Sequence, residues 1–322
     1  MKLGVLTNLL GNEPADKAFE YFASLGIEEL EVGCGGYPGK DHCDPSVLLK
    51  DEKKLEEFKA LFDKHGLKLN CLSCHGNPVH PNKEIAQSFR NDWHDAVLLA
   101  EKLGIHKIVG FSGCPGDFEG SKYPNWVTCP WPNDFGEILD YQWNEVLIPY
   151  WKQESVFCAA HGIEKIAFEM HPGFCVYNPE TLLRLRAAVG DIIGANFDPS
   201  HLIWQGIDPV AAIRMLTGAI YHFHAKDTKI DNYNTACNGV LDTKSYADEL
   251  HRSWIFRAVG YGHDSQYWRD MISALRLAGY DDIMSIEHED SLMMPKEGLE
   301  KAVSFLKNSV IKEPSPNALR WV

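Results

Sequence analysis

Five segments of this sequence begin as apolar runs and finish in residues that can move protons or hold a cation. They are Ser73-Cys74-His75-Gly76-Asn77, Phe168-Glu169-Met170-His171-Pro172, Asn196-Phe197-Asp198-Pro199-Ser200-His201, Tyr221-His222-Phe223-His224-Ala225-Lys226-Asp227 and Ser285-Ile286-Glu287-His288-Glu289-Asp290. Taking imidazoles and carboxylates out of water is costly unless they are paired or bind a metal. Placed together, the same groups serve as general acids and bases.

The elements that must position them alternate along the chain. Strand-like runs are read at Lys2–Asn8, Glu29–Gly33, Lys68–His75, Lys107–Gly113, Lys165–His171, Ile193–Asp198, Ile220–Asp227 and Ile283–Glu289. Helical patterns separate them, among them Ala15–Leu25, Glu52–His65, Lys83–Leu103, Phe135–His161, Gln266–Ala278 and Lys296–Leu306. Pro179 and Pro209 suit the first turn of two further helices, where a missing N–H costs nothing. A glycine falls where a C-cap belongs at Gly26, Gly66, Gly104, Gly162 and Gly279. Eight strand–helix pairs in strict order predict one (β/α)8 TIM barrel over residues 1–322, with long loops after strands four and seven. Those loops are Cys114–Trp131 and Thr228–Gly262.

In such a barrel the active site lies at the C-terminal strand ends, where all five segments finish. Residues two apart share a strand face. On strand seven, Tyr221, Phe223 and Ala225 suit the helix side, which leaves His222, His224 and Lys226 inside. The inward set offers Glu169, Asp198, His224 and Glu287. Three carboxylates and one imidazole favour a hard or borderline divalent ion, Mn2+ first, with Mg2+, Co2+ or Zn2+ as alternatives. Without a cation the carboxylates would raise one another's pKa; a salt bridge to Lys226 is the structural alternative.

At these residues the sequence resembles the xylose-isomerase-like barrel superfamily. The matching motifs are FEMHP (168–172), NFDPSH (196–201), HFHAKD (222–227) and SIEHED (285–290). The resemblance to its ketose epimerases implies one metal ion on Glu169, Asp198, His224 and Glu287, proton exchange by Glu169 and Glu287, and a substrate contact from His201. It implies isomerisation or epimerisation by proton abstraction next to a carbonyl, through an enediolate. Two departures matter. The epimerases carry an Arg shortly after the strand-seven His, where this chain has Lys226-Asp227. Glu169-x-His171 is similar to the large subunit of bacterial C-glycoside deglycosidases. That likeness implies His171 as a base in a metal-dependent lyase that deprotonates a 3-keto glycoside and eliminates the aglycone. Further alternatives are a sugar-binding or scaffold subunit and an apurinic-site endonuclease.

The remaining expectations concern surroundings and partners. His75, His201, Lys226 and Trp126 are candidate substrate contacts. Trp126 and Trp131 either stack on the substrate or pack within their loop. Asp227 and His263 either support the site or simply pair. The substrate is a small sugar or glycoside, and the chain is expected to form a homo-oligomer or a complex with a small second subunit. A net charge of −14 disfavours nucleic acid and anionic membrane as partners. Neither a secretory h-region nor a membrane-length apolar run is read, so the expected location is the cytoplasm. Nine scattered cysteines read as free thiols, Cys71 and Cys74 included, rather than a disulfide framework.

Overall fold

Strands joined by crossover helices are covered on both faces and read as near-continuous apolar runs, and that is how these strands read. The computed structural model describes residues 1–313. Its strands are β1 (Lys2–Leu6), β2 (Glu29–Gly36), β3 (Lys68–His75), β4 (Lys107–Gly110), β5 (Lys165–Glu169), β6 (Ile193–Phe197), β7 (Ile220–Ala225), β8 (Asp227–Ile230), β9 (Trp254–Arg257) and β10 (Ile283–Ile286). Eight of them close into a parallel barrel in the order β1-β10-β7-β6-β5-β4-β3-β2. The other two, β8 and β9, pair antiparallel outside it. The expected TIM barrel is therefore the observed fold. No described helix is long and apolar enough to cross a membrane.

Helix boundaries follow local chemistry. Pro179 begins a helix that Asn178 caps, and Thr181 completes a reciprocal capping box. All five expected C-cap glycines adopt positive φ, for example +66° at Gly66 and +67° at Gly104, a region that excludes most side chains. The stretch read as one helix over Phe135–His161 is three segments: α-helix Asp134–Asp140, π-helix Tyr141–Leu147 and α-helix Ile148–Ala160. Pro149 cannot donate a hydrogen bond and crowds the carbonyl four residues earlier, which favours the wider turn before it.

Most strands stop one to three residues short of the sequence reading, as with β5 at Glu169 and β10 at Ile286. The cause is functional geometry. Asp198 leaves the ladder to cap helix Pro199–Trp204, accepting from Ser200 N at 2.8 Å. His171 N bonds instead to Val176 O at 3.2 Å within the following loop.

Outward side chains pack under the helices: the Phe168 ring meets Trp151 at 4.5 Å, and Phe197 stacks on Phe223 at 5.8 Å. Phe223 faces out, so His222 and His224 face in, as alternation requires. The excursion 228–262, read as polar, instead holds the β8–β9 hairpin and helix Asn232–Asn238. Asp227 fastens its two ends. Its carboxylate accepts from Thr228 N (2.8 Å), Gly260 N (3.1 Å), Gly262 N (3.1 Å) and His263 N (2.9 Å).

Candidate active site

The barrel interior is built around a carboxylate that sequence reasoning missed. Glu31, on β2, has no solvent exposure. It accepts from Ser73 Oγ on β3, from Ser285 Oγ on β10 at 2.6 Å, and from His222 Nε2 on β7 at 2.8 Å. His224 Nε2, also on β7, lies 3.0 Å and 3.1 Å from its two oxygens. Burial opposes its ionisation, but His224 and His222 outweigh burial and hold Glu31 well below the usual carboxylate range. Its oxygens are occupied by these four donors. The set Glu31, His222 and His224 thus forms a closed network, although its donor atoms are close enough together for a metal.

Above it, strand ends bring Glu169, Asp198, His224 and Glu287 together, with one donor atom from each within 4.8 Å of the others. His224 Nδ1 lies 3.1 Å from Glu287 Oε2 and 3.3 Å from Glu169 Oε2. With Nε2 turned to Glu31, the ring presents Nδ1 to this cluster. Burial opposes its protonation, but Glu31 and Glu287 prevail and raise its pKa well above the usual imidazole value, so a cation here would take the place of the Nδ1 proton. Asp198 Oδ2 is buried against Lys226 Nζ at 3.0 Å and His201 Nε2 at 3.2 Å, and His224 Nδ1 is buried between the two glutamates. Three buried carboxylates with one imidazole nitrogen fit a hard or borderline divalent cation.

Lys226 supplies the fixed positive charge. Its Nζ lies 3.0 Å from Asp198 Oδ2, 2.7 Å from Glu287 Oε2 and 2.8 Å from Glu289 Oε2. Burial pushes its pKa down, but Asp198, Glu287 and Glu289 push it well above the usual lysine value. Glu287 is held at about 2: burial opposes this, and Lys226 and His224 prevail. The salt bridge considered from sequence is thus present, and it leaves Glu169 without a fixed cation. Its partners are imidazoles, His201 Nε2 at 3.0 Å and His75 Nε2 at 3.1 Å, and the Asn196 amide, which donates from Nδ2 at 3.4 Å.

His171 sits just past β5, its ring 4.1 Å from His201 and 5.1 Å from Phe111. Its Nδ1 lies 2.5 Å from Pro172 O, so the neutral ring donates there and keeps a lone pair on Nε2. Burial, then the charge of His201, pushes its pKa down to about 3. His75, His171, His201, Lys226, Glu169 and Glu287 all line one cavity of about 140 Å³ at the barrel mouth.

Trp126 is not in that cavity. It meets Tyr177 edge-on at 5.4 Å and borders a neighbouring groove. Trp131 is 73% exposed and lines neither. Asp227 and His263 pair with each other at 2.8 Å. All nine cysteines are free.

Comparison with known proteins agrees with this fold. The chain is 41% identical over 312 residues to the uncharacterized protein YfiH of Bacillus subtilis (strain 168), covering 96% of this chain and 99% of that protein. Among solved structures it superposes on the IOLI protein, crystallised with a binding zinc atom, with a TM-score of 0.64 at 18% identity, covering 98% of this chain and 100% of that one. A D-tagatose 3-epimerase-like protein matches with a TM-score of 0.62 at 21% identity, over 96% of this chain and 98% of that one. Residues 19–309 match the family model described as xylose isomerase-like TIM barrel, and the chain belongs to that family.

Proposed function

We propose that this protein is a divalent-metal-dependent enzyme that moves a proton on the carbon beside a carbonyl of a sugar or sugar derivative, giving isomerisation or epimerisation. The observation that carries this reading is the convergence of Glu169, Asp198, His224 and Glu287 within 4.8 Å. The sugar class follows the likeness to the D-tagatose 3-epimerase-like protein, and the cation follows the likeness to the zinc-bearing IOLI protein.

Glu169, Asp198, His224 and Glu287 would hold the ion. Bound there, a divalent cation, Mn2+ first, supplies Lewis-acid stabilisation of negative charge developing on the sugar oxygens. The chain's own groups supply the rest. Glu169 and Glu287 stand on β5 and at the end of β10, on two sides of the cluster, so one takes the proton and the other returns it. Return to the neighbouring carbon isomerises; return to the opposite face epimerises. His75 and His201 donate toward Glu169 and orient it, while their position at the cavity wall lets them contact substrate hydroxyls. Lys226 keeps Glu287 ionised at the site's edge.

His171 favours a second reading, elimination. Its ring lines the same cavity, and with Nδ1 committed to Pro172 O the neutral ring keeps its lone pair on Nε2. A base there can take a proton from carbon; the electron pair forms the double bond, and a β-substituent departs with the electrons of its own bond.

The test is solvent exchange. Mn2+-loaded protein is incubated in D2O with ketoses, aldoses and 3-keto glycosides and followed by NMR. Deuterium on carbon with a new isomer or epimer supports the first reading. Aglycone release confined to 3-keto glycosides supports the second. Absence of both from the metal-loaded protein overturns the proposal.

A further inference from the structure

Two further cavities adjoin the one that holds the charged cluster. A groove of about 350 Å³ shares His171 and His201 with it, and a third chamber of about 410 Å³ shares His171 and Glu289. His171 borders all three, and Tyr246 borders the second and the third. Together they form one region around the His171 ring.

Its two halves differ in chemistry. Carboxylates, imidazoles and Lys226 dominate the first chamber. The other two are walled by Trp126, Trp204, Leu241, Tyr246, Trp254 and Phe256. Trp204 stacks on Trp254 at 4.6 Å and 6°, and the Arg252 guanidinium lies 4.6 Å from the Trp254 ring and 4.3 Å from the Tyr246 ring, so these side chains form a rigid backing to the groove. The acidic group in the groove is Asp242, and its carboxylate is occupied by Lys244 and Ser253 N. Glu289 is held by Lys226. Among the described residues no unpaired carboxylate thus lines this half, and the Arg252 guanidinium behind Tyr246 and Trp254 bonds to the carbonyls of Trp254 and Lys244. The Trp204 Nε1 donor, on a side chain 5% exposed, is buried without a partner. Most of the wall is furnished by the excursion 228–262, which is additional to the β/α repeat.

Apolar surface left open beside a polar reaction chamber is a binding feature. Apolar walls favour an apolar occupant. The shared His171 and His201 place that occupant beside the charged chamber. We infer that the substrate has two parts: a sugar-like polar portion in the charged chamber, and an apolar group attached to it and seated against Trp126, Leu241 and Tyr246. This inference rests on the proposed reaction only in assigning the sugar portion to the charged chamber.

The test compares phenyl β-D-glucopyranoside with methyl β-D-glucopyranoside by ligand-detected NMR titration of the Mn2+-loaded protein. The phenyl compound is expected to bind about tenfold tighter or more, a difference of about 1.4 kcal/mol, with saturation transfer strongest on its ring protons. Tyr246 is 57% exposed and Leu241 66% exposed, and neither is in the reaction chamber. Tyr246→Ala should shrink the phenyl advantage at least about threefold and leave methyl glucoside binding unchanged. Leu241→Asp, on the open rim, does the same if the tyrosine variant folds poorly. Equal binding of the two glucosides by the unaltered protein overturns the inference, as does an undiminished phenyl advantage in both variants. A retained phenyl preference with no solvent exchange on any sugar would sink the proposed reaction and leave the groove standing. Exchange on free sugars with no phenyl preference would do the reverse.

Discussion

Glu31 and His224 face each other across the barrel interior, with Nε2 of the ring 3.0 Å and 3.1 Å from the two carboxylate oxygens. The consequence lies on the other side of the ring, where Nδ1 meets Glu287 and Glu169. A carboxylate behind a metal-binding histidine fixes its tautomer and raises its basicity. Glu31→Gln should therefore weaken Mn2+ binding about 10- to 100-fold, read by electron paramagnetic resonance titration. It should also lower stability by about 2 kcal/mol, since charge-assisted bonds are lost. Unchanged Mn2+ affinity would remove Glu31 from the site's support.

Glu287 and His171 line one cavity but should fail differently when altered. Glu287→Gln takes away a cluster carboxylate and a partner of Lys226, so both Mn2+ retention and turnover should vanish. His171→Asn leaves the four-residue cluster intact. It should keep Mn2+ and lose about 10²- to 10⁴-fold in kcat if the imidazole is the base, with KM little changed. Metal analysis after desalting, alongside kinetics, separates the two. A metal-loaded, active Glu287→Gln protein would refute the ligand assignment, and full activity in His171→Asn would assign the proton to the glutamates.

The barrel was legible because parallel strands and their helices have different periods, and the cluster because His222, His224 and Lys226 alternate with Phe223 and Ala225. Glu31 escaped although Glu29, Glu31 and Gly33 alternate with Leu30 and Val32 in the same way. Alternation alone does not separate its two glutamates. Glu29 lies at the barrel rim and pairs with the half-exposed Lys2, whereas Glu31 has no exposure at all. That distinction depends on Ser73, His222 and Ser285, which come from three other strands. The β8–β9 hairpin escaped for another reason: β8 reads Asp-Thr-Lys-Ile, so no apolar run marks it, unlike the equally short β4 and β10. The aromatic groove needs that hairpin to exist, so the sequence showed its tryptophans without showing what they enclose.

At the opposite end of the barrel, Asp282 meets Lys107 at 2.7 Å. Burial opposes its ionisation, but the charge and hydrogen bond of Lys107 prevail and lower it from 3.8 to about 2. A carboxyl whose pKa is depressed on folding adds stability above its unfolded pKa and loses that contribution as pH falls through the folded value. Unfolding by denaturant should show Asp282→Asn less stable than the unaltered protein at pH 6, by about 1 kcal/mol once partial solvent screening is allowed for. The gap should narrow from about pH 4 downward and close near pH 2. A gap that stays constant across this range would show that the ion pair is not its source.

Asp227 carries the whole base of the 228–262 excursion. Beyond the four backbone donors at its two ends, it lies 2.8 Å from His263 Nδ1 and 3.2 Å from Trp268 Nε1. The fit is close enough that a Cβ on Gly262 would fall 2.4 Å from Asp227 Oδ1 and 2.3 Å from Thr228 O. Asp227→Ala leaves these donors buried and unanswered, at a cost of about 3–5 kcal/mol. The barrel strands and the Glu169, Asp198, His224 and Glu287 cluster do not depend on this clamp. Limited proteolysis of Asp227→Ala should therefore cut first within 228–262, Mn2+ binding should survive, and the preference for a phenyl over a methyl glucoside should disappear. Loss of Mn2+ together with that preference would show instead that the excursion and the charged chamber fold as one unit.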